Sequence, residues 1–499
     1  MNKILQKTIL LYNAEIFTEN HLQHGYLLIK NGIISSIKEG SPPNSLFQTI
    51  KNQIDCEKAL LLPGFIDTHV HLRDFEQSYK ETLETGSKAA ISGGVTTVLT
   101  MPNTIPPLST VENIKKYFDQ SKALYCNIGI FAGVKQGFKI ENLEEISKEG
   151  VFGIKIYPGD VSKDFPLKWM DGWKNDLEPN EFLDSIDKIL SNFQNDYLYW
   201  QKLFNYAAKF KLPILFHPEI PRTSQVLEFF YEQGKNIAVK EGKKNQNLFA
   251  HHVAHPIYQN EIANIEMIII LLRKFYSNPK NAPHIHFVHV SNSESIQIIH
   301  KALKQEGFPC SIEATPHHLL LNYDMDFSTE SFAKVLVPLR SQETQQGLFK
   351  DAQKNLIDTI GSDHAPHSLE EKTQNFINSA SGFPSLDFAA QILLTQAFDK
   401  KLKLEQVISY LSTQPAIIFG IPKKGLIKEG YDADLVLIKE VKPYLIKGEN
   451  AKGMQKWTPW ENFELKTKIL KVFLSGTEVY SSEFGFIEAN GNFLKREFN

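Results

Sequence analysis

Leu61-Leu62-Pro63-Gly64-Phe65-Ile66-Asp67-Thr68-His69-Val70-His71-Leu72-Arg73 is an apolar run that ends in two histidines spaced two apart, with an arginine just beyond. Side chains at i and i+2 of a strand share a face, so His69 and His71 converge on one spot at the strand's C-terminal end. Neutral imidazoles meeting there suit zinc and similar ions. The pair alone also fits two surface histidines on an edge strand, so the rest of the chain has to decide.

Working outward, buried-strand patterns alternate with helical stretches. Gly64–His69, Val95–Met101, Asn127–Phe131 and Gly153–Tyr157 come first. Pro213–His217, Ile285–Val290, Cys310–Thr315 and Ile357–Asp363 complete a set of eight. Strands alternating with helices give a parallel sheet. Eight such units predict an α/β fold closed as a (β/α)₈ barrel, whose sites lie at the C-terminal strand ends. Residues 1–60 and 421–499 read instead as short β runs, such as Gly25–Ile29 and Asp434–Ile438. Neither end has enough strands for a sheet of its own. They are expected to form one small β-sandwich domain around a barrel of residues 61–420. The stretch 160–205, with Trp169, Trp173 and Trp200, breaks the rhythm and reads as an insertion. At a barrel mouth it would act as a lid, as a surface elaboration or as an oligomer contact.

Composition narrows the class. The chain has 499 residues, 42% hydrophobic and 22% charged, which is ordinary for a globular protein with a large core. A net charge of -3 points to neither a nucleic-acid surface nor a polybasic membrane anchor. Cys56, Cys126 and Cys310 are far apart and form no Cys-x-x-Cys motif, which suits a reducing, cytoplasmic compartment. Met1–Lys7 lacks a signal peptide's apolar segment, and the Met267–Leu272 run is far too short to span a bilayer.

At the predicted strand ends stand His69, His71, Lys155, His217, His289 and Asp363. Each has an ordinary explanation alone: a satisfied core histidine, an edge lysine, a helix N-cap. Six polar residues at one barrel mouth share a simpler one. Burying them unpaired costs several kcal/mol each, and a metal centre satisfies them together. "FAHHVAHP" at 249–256 is the rival histidine cluster. His251, His252, His255, His284 and His286 are read as non-ligands, His317 and His318 as structural, and His364 as a lesser participant.

This constellation resembles the amidohydrolase superfamily and, within it, the dihydroorotases. The stretch "PGFIDTHVHLRDFEQSYKETLETGSKAAISGGVTTVLTMPNT", residues 63–104, is similar to that family's opening signature nearly throughout. "GIKIYP" around Lys155, "HVS" at 289–291, "TPHHLLL" at 315–321, "PLR" at 338–340, "SDHAPH" at 362–367 and "GYDADLVLI" at 430–438 extend the likeness over most of the chain. The resemblance implies that His69, His71 and Asp363 bind one divalent metal and that His217 and His289 bind a second. It implies zinc in both places, and Lys155 carboxylated by carbon dioxide as the bridge. A carbamate is anionic and offers two oxygens, whereas an ammonium would repel two cations. The resemblance further implies that Arg73, Asn103 and His367 hold a substrate carboxylate, with Leu336, Phe383 and Pro384 as further contacts. Leu336 stands where dihydroorotases often have asparagine. Gly382-Phe383-Pro384 stands where they often have a different turn.

The implied reaction interconverts N-carbamoyl-L-aspartate and L-dihydroorotate, a step of pyrimidine biosynthesis. In the hydrolytic direction Asp363 takes the proton of the attacking water and passes it to the leaving nitrogen. A homodimer acting on a small molecule, with no nucleic acid and no membrane, is the expected setting. Two other readings compete. One is another cyclic amide hydrolase, such as a dihydropyrimidinase, hydantoinase or allantoinase. The other is a non-catalytic barrel serving as a scaffold. Arg73, Asn103 and His367 argue against the first, and six filled ligand positions against the second.

Overall fold

The computed structural model describes residues 8–18, 21–120, 123–135, 137–158, 194–219 and 224–497. Five strands come first: β1 (Thr8–Thr18), β2 (His21–Lys30), β3 (Ile33–Glu39), β4 (Asn52–Asp55) and β5 (Leu60–Pro63). β2 and β3 are joined by Asn31-Gly32, both with positive φ (52° and 83°), the two-residue turn whose twist matches antiparallel strands. Glycine tolerates that conformation freely and asparagine better than most residues.

The chain then enters nine short parallel segments: β6 (Phe65–Val70), β7 (Val95–Thr100), β8 (Asn127–Ile130), β9 (Ala132–Gly133), β10 (Ile154–Ile156), β11 (Ile214–Phe216), β12 (Ile285–Phe287), β13 (Cys310–Ala314) and β14 (Thr359–Ile360). β8 and β9 are two halves of one stave. Phe131 between them donates to Thr100 of β7, and Ala132 donates across to Gly153 ahead of β10. The ring closes where Val70 pairs in parallel with His364 and His71 N donates to the His364 carbonyl at 2.7 Å. The eight staves match the eight predicted patterns. All but one of their residues are buried, as expected of strands covered on both faces. The interior is packed by Ile66, Leu99, Phe131, Phe152, Leu215 and Val288, with Phe419 and Ile421 in the same cluster.

The last strands, β15 (Leu435–Leu445), β16 (Glu464–Leu474), β17 (Thr477–Ser481) and β18 (Gly485–Phe486), rejoin the first. β15 pairs with β5 (Leu435 opposite Pro63), so both chain ends share one nine-stranded sheet. That sheet has a core of its own, with Leu11, Ile16, Leu27, Leu61, Leu435 and Phe473 in contact.

Only the end of the 160–205 stretch is among the described residues. Its end, from 194, is the start of a regular helix, Gln194–Lys209, that precedes β11. Trp200 is fully buried there against Phe204 and Phe216, so it belongs to the barrel's outer core and not to a lid. Residues 159–193, with Trp169 and Trp173, lie outside the described residues. Met267–Leu272 falls in the helix Ala263–Phe275 and is mostly buried. Among the described residues no helix is long and apolar enough to cross a membrane.

Candidate metal centre

β6 ends at Val70, which places His69 and His71 at the barrel mouth on one side of the strand. Each imidazole is locked through one nitrogen. His69 Nδ1 donates to Glu313 Oε1 at 2.6 Å, and His71 Nδ1 donates to Asn103 Oδ1 at 2.7 Å. A hydrogen fixed on Nδ1 leaves the lone pair on Nε2, the form that binds a cation. Both Nε2 atoms face Asp363 Oδ1, at 3.4 Å from His69 and 3.1 Å from His71. One ligand atom from each of the three lies within 4.8 Å of the others. Burial pushes the His71 pKa down to about 4, which keeps the ring neutral. Burial alone would raise the Asp363 carboxyl, but His69 and His71 beside it hold it well below the usual carboxylate range.

The backbone around this triad is tied as tightly. Asp67 accepts from His69 N at 3.0 Å and from Ser362 N at 3.1 Å, which joins β6 to the segment carrying Asp363. Gly361 is required by packing: a Cβ there would meet Glu313 Oε2 and His69 Cβ, both at 2.7 Å. Arg73, His289 and Asp363 all hold positive φ (57°, 38° and 48°). Such conformations cost on the order of 1–3 kcal/mol each and cluster at functional sites.

Lys155, His217 and His289 come from three neighbouring staves. His217 follows β11, and its Nδ1 lies 2.8 Å from His289 Nε2. The His289 ring is 5.4 Å from that of His69, so four imidazoles form a continuous row from His71 to His217. Burial lowers the pKa of both His217 and His289. Lys155, in the middle of β10, is 1% exposed, and burial brings its amine down to about 8. Its Nζ lies 5.1 Å from the Tyr157 ring and has no hydrogen-bond partner among the described residues; the same is true of His289 Nδ1. A buried, unpaired ammonium costs several kcal/mol. Carboxylation to an anionic carbamate beside bound cations would remove that cost, so the donor set fits divalent metals with nitrogen and oxygen ligands.

Beside this centre opens a cavity of about 380 Å³. Arg73, 6% exposed, lines it with Asn103, His367 and Lys80. Arg73 Nη2 donates to His367 Nε2 at 3.2 Å, which puts the His367 hydrogen on Nδ1, 3.3 Å from Glu371 Oε2. Lys80 pairs with Glu371 at 2.8 Å and lies 3.2 Å from His367 Nδ1. The lining thus carries the cations Arg73 and Lys80 with the carboxylate Asp363, and Glu371 stands behind Lys80 and His367. Leu336 stands at the cavity edge, 38% exposed. Phe383 and Pro384 do not line the cavity; Ser381 and Gly382 do. The Phe383 ring is buried against His317 at 5.0 Å, and its carbonyl accepts from Ala365, so the chain has turned behind the wall by that point. His364 also faces away, its Nδ1 accepting from Ser385 and Leu386 backbone.

Sequence reasoning missed Glu313, Asp67, Lys80 and Glu219. Glu313 carried the signal that marked Lys155, a charged residue inside a buried apolar run. Glu219, two after His217, lies 3.3 Å from His217 Nε2. The "FAHHVAHP" tract forms no separate metal cluster among the described residues. His251 Nε2 instead donates to the Val335 carbonyl, and His255 reaches Glu219.

Residues 60–190 and 239–479 match the model of the Amidohydrolase family. The chain is 33% identical over 441 residues to the dihydroorotase of Methanosphaera stadtmanae, covering 87% of this chain and 88% of that protein. It is 26% identical over 492 residues to the allantoinase of Salmonella choleraesuis, covering 97% and 98%. Among solved structures, the L-hydantoinase (dihydropyrimidinase) of Arthrobacter aurescens superposes with a TM-score of 0.80 at 22% identity, over 98% of this chain and 99% of that one, and so shares the fold.

Proposed function

The chain belongs to the amidohydrolase family, and from that premise we propose that it interconverts N-carbamoyl-L-aspartate and L-dihydroorotate. Its class is that of a cyclic amide hydrolase. The observation that carries the finer reading is the buried Arg73 guanidinium, which shares one cavity wall with His367, Asn103 and Lys80 beside the His69, His71 and Asp363 triad. A guanidinium grips a carboxylate with paired hydrogen bonds. Dihydroorotate brings that carboxylate, whereas dihydrouracil and allantoin bring none.

In this reading His69, His71 and Asp363 would hold one divalent ion, His217 and His289 would hold a second, and Lys155, once carboxylated, would supply oxygen ligands to them. When bound, such ions polarise the ring amide carbonyl and acidify the hydrolytic water. Asp363, an ionised carboxylate with a spare lone pair, takes the water's proton and returns it to the leaving nitrogen. In ring closure it acts in the opposite sense. Arg73 and His367 hold the ring by its carboxylate, and Asn103 both lines the cavity and fixes His71. Zinc as the metal, a homodimeric state, a cytoplasmic setting, and a barrel of residues 61–420 flanked by a β domain from 1–60 and 421–499 belong to the same proposal and rest on the resemblance to dihydroorotases.

The test is an assay of dihydroorotate, dihydrouracil and allantoin side by side with one preparation. Turnover of dihydroorotate well above both rivals is expected. No turnover of dihydroorotate, with brisk turnover of either rival, sinks the reading.

A further inference from the structure

The "FAHHVAHP" tract and Glu219 have no part in the function as stated, yet they meet at the metal centre. Glu219 is buried, with 7% exposure. Among the described residues its carboxylate is approached by three groups: Asn260 Nδ2 at 2.7 Å, His255 Nδ1 at 3.0 Å and His217 Nε2 at 3.3 Å. An ionised carboxylate only accepts, so each neighbour supplies a hydrogen. The His217 hydrogen then sits on Nε2 and its lone pair on Nδ1, the atom 2.8 Å from His289 Nε2. With the opposite tautomer His217 would present an N–H to the centre and could bind no cation.

The support extends outward. His255 closes the helix Gln246–Ala254, and its carbonyl accepts from Arg340 Nη1 at 2.6 Å. Arg340 is itself buried, and its Nε donates to Ser291 Oγ at 2.9 Å, two residues beyond His289. Its Nη2 reaches Glu261 Oε2 at 3.4 Å. One guanidinium therefore ties the segment that steadies His217 to the segment that carries His289.

We infer that Glu219 is a positioning residue that sets the tautomer and orientation of His217 and so controls the affinity of the second metal alone, with His255 and Asn260 holding Glu219 in place. The inference rests on the two-metal reading. It assigns the histidine tract a role in assembling the centre without making any of its members a ligand. The chemistry is that of a carboxylate behind a metal-bound histidine, whose loss typically costs 10–100-fold in metal affinity.

The test is calorimetric titration of the metal-stripped full-length protein with zinc as the only metal, in buffer that contains bicarbonate so that Lys155 is carboxylated again. The wild type is expected to take up two ions. Glu219→Ala should weaken one site about 10–100-fold and leave the other within about threefold. Glu219→Gln, whose amide oxygen still accepts from Nε2, should recover most of the lost affinity. Imidazole ¹⁵N spectra of the metal-free Glu219→Ala protein should show His217 leaving the Nε2–H form, a change that general loosening of the fold would not confine to one ring. His255→Phe keeps a ring in place and removes its donor to Glu219, so it should weaken the same single site by a smaller factor. It carries the decision if Glu219→Ala does not fold. Equal weakening of both sites, or none at either, overturns the inference. Fewer than two zinc ions in the wild type overturns the two-metal reading itself.

Discussion

The two halves of the centre are built differently. In the half made by His69, His71 and Asp363, each imidazole's outer nitrogen has an acceptor, Glu313 or Asn103, and Asp67 stitches the backbone segments together. Gly361 yields the space that lets Glu313 and His69 meet. In the half made by Lys155, His217 and His289, only His217 has such support among the described residues, from Glu219. Lys155 Nζ and His289 Nδ1 are buried without a hydrogen-bond partner among the described residues. The first half is thus preorganised by the protein itself. On the proposed reading, the second would gain its coherence only once Lys155 is carboxylated and two cations are bound. Preorganisation of this kind is what holds ligands at bonding geometry without reorganisation cost.

The sharpest way to break this contrast is Lys155→Ala. It should lose metal as well as turnover, by about 10³-fold or more, since Lewis-acid activation supplies several kcal/mol. A short carboxylic acid added to the variant should restore part of the activity, and metal analysis with a rescue titration checks both points. Full metal retention would show that the second half does not depend on Lys155. Asp363→Asn comes next. Its kcat should fall about 10²–10⁴-fold while circular dichroism stays native, and near-normal kcat would remove Asp363 as the base. Glu313→Gln probes the preorganised half and should weaken its ion about 10–100-fold, measured by chelator competition. No weakening would mean that His69 is held by packing alone. Arg73→Lys touches neither half. It should raise KM for dihydroorotate about tenfold, as paired hydrogen bonds to a carboxylate become a single point charge. An unchanged KM would place the carboxylate elsewhere.

Much of this was legible in the chain. Every expected ligand but Lys155 stood at or near the end of an apolar run, and a strand that stops at a barrel mouth delivers its last side chains there. That made His69, His71, His217, His289 and Asp363 visible, and Lys155 stood out as a charge inside a buried run. The closure of eight staves followed from their number. Less visible were the groups behind the ligands. Glu313 holds a histidine from another stave, and Glu219 meets His255 from the end of a distant helix; such pairings depend on which elements become neighbours and on how side chains turn. Phe383 and Pro384 stand off the cavity lining for a related reason. Gly382, at φ 117°, lines the wall and sends the next residues behind it, a backbone turn that no hydrophobic pattern announces. Trp200 read as part of an insertion because aromatic residues near a rhythm break look alike whether they cover a mouth or fill a core.

The central claim is that six side chains from five staves and the segments beyond their ends build one centre for two metals. The most direct measurement is the metal content of the purified, metal-replete wild-type chain, read together with the mass increment of one carbon dioxide on Lys155. The account predicts two divalent ions per chain and a carboxylated lysine that is lost when the ions are stripped. One ion or none under metal-replete conditions, with Lys155 unmodified, would contradict it.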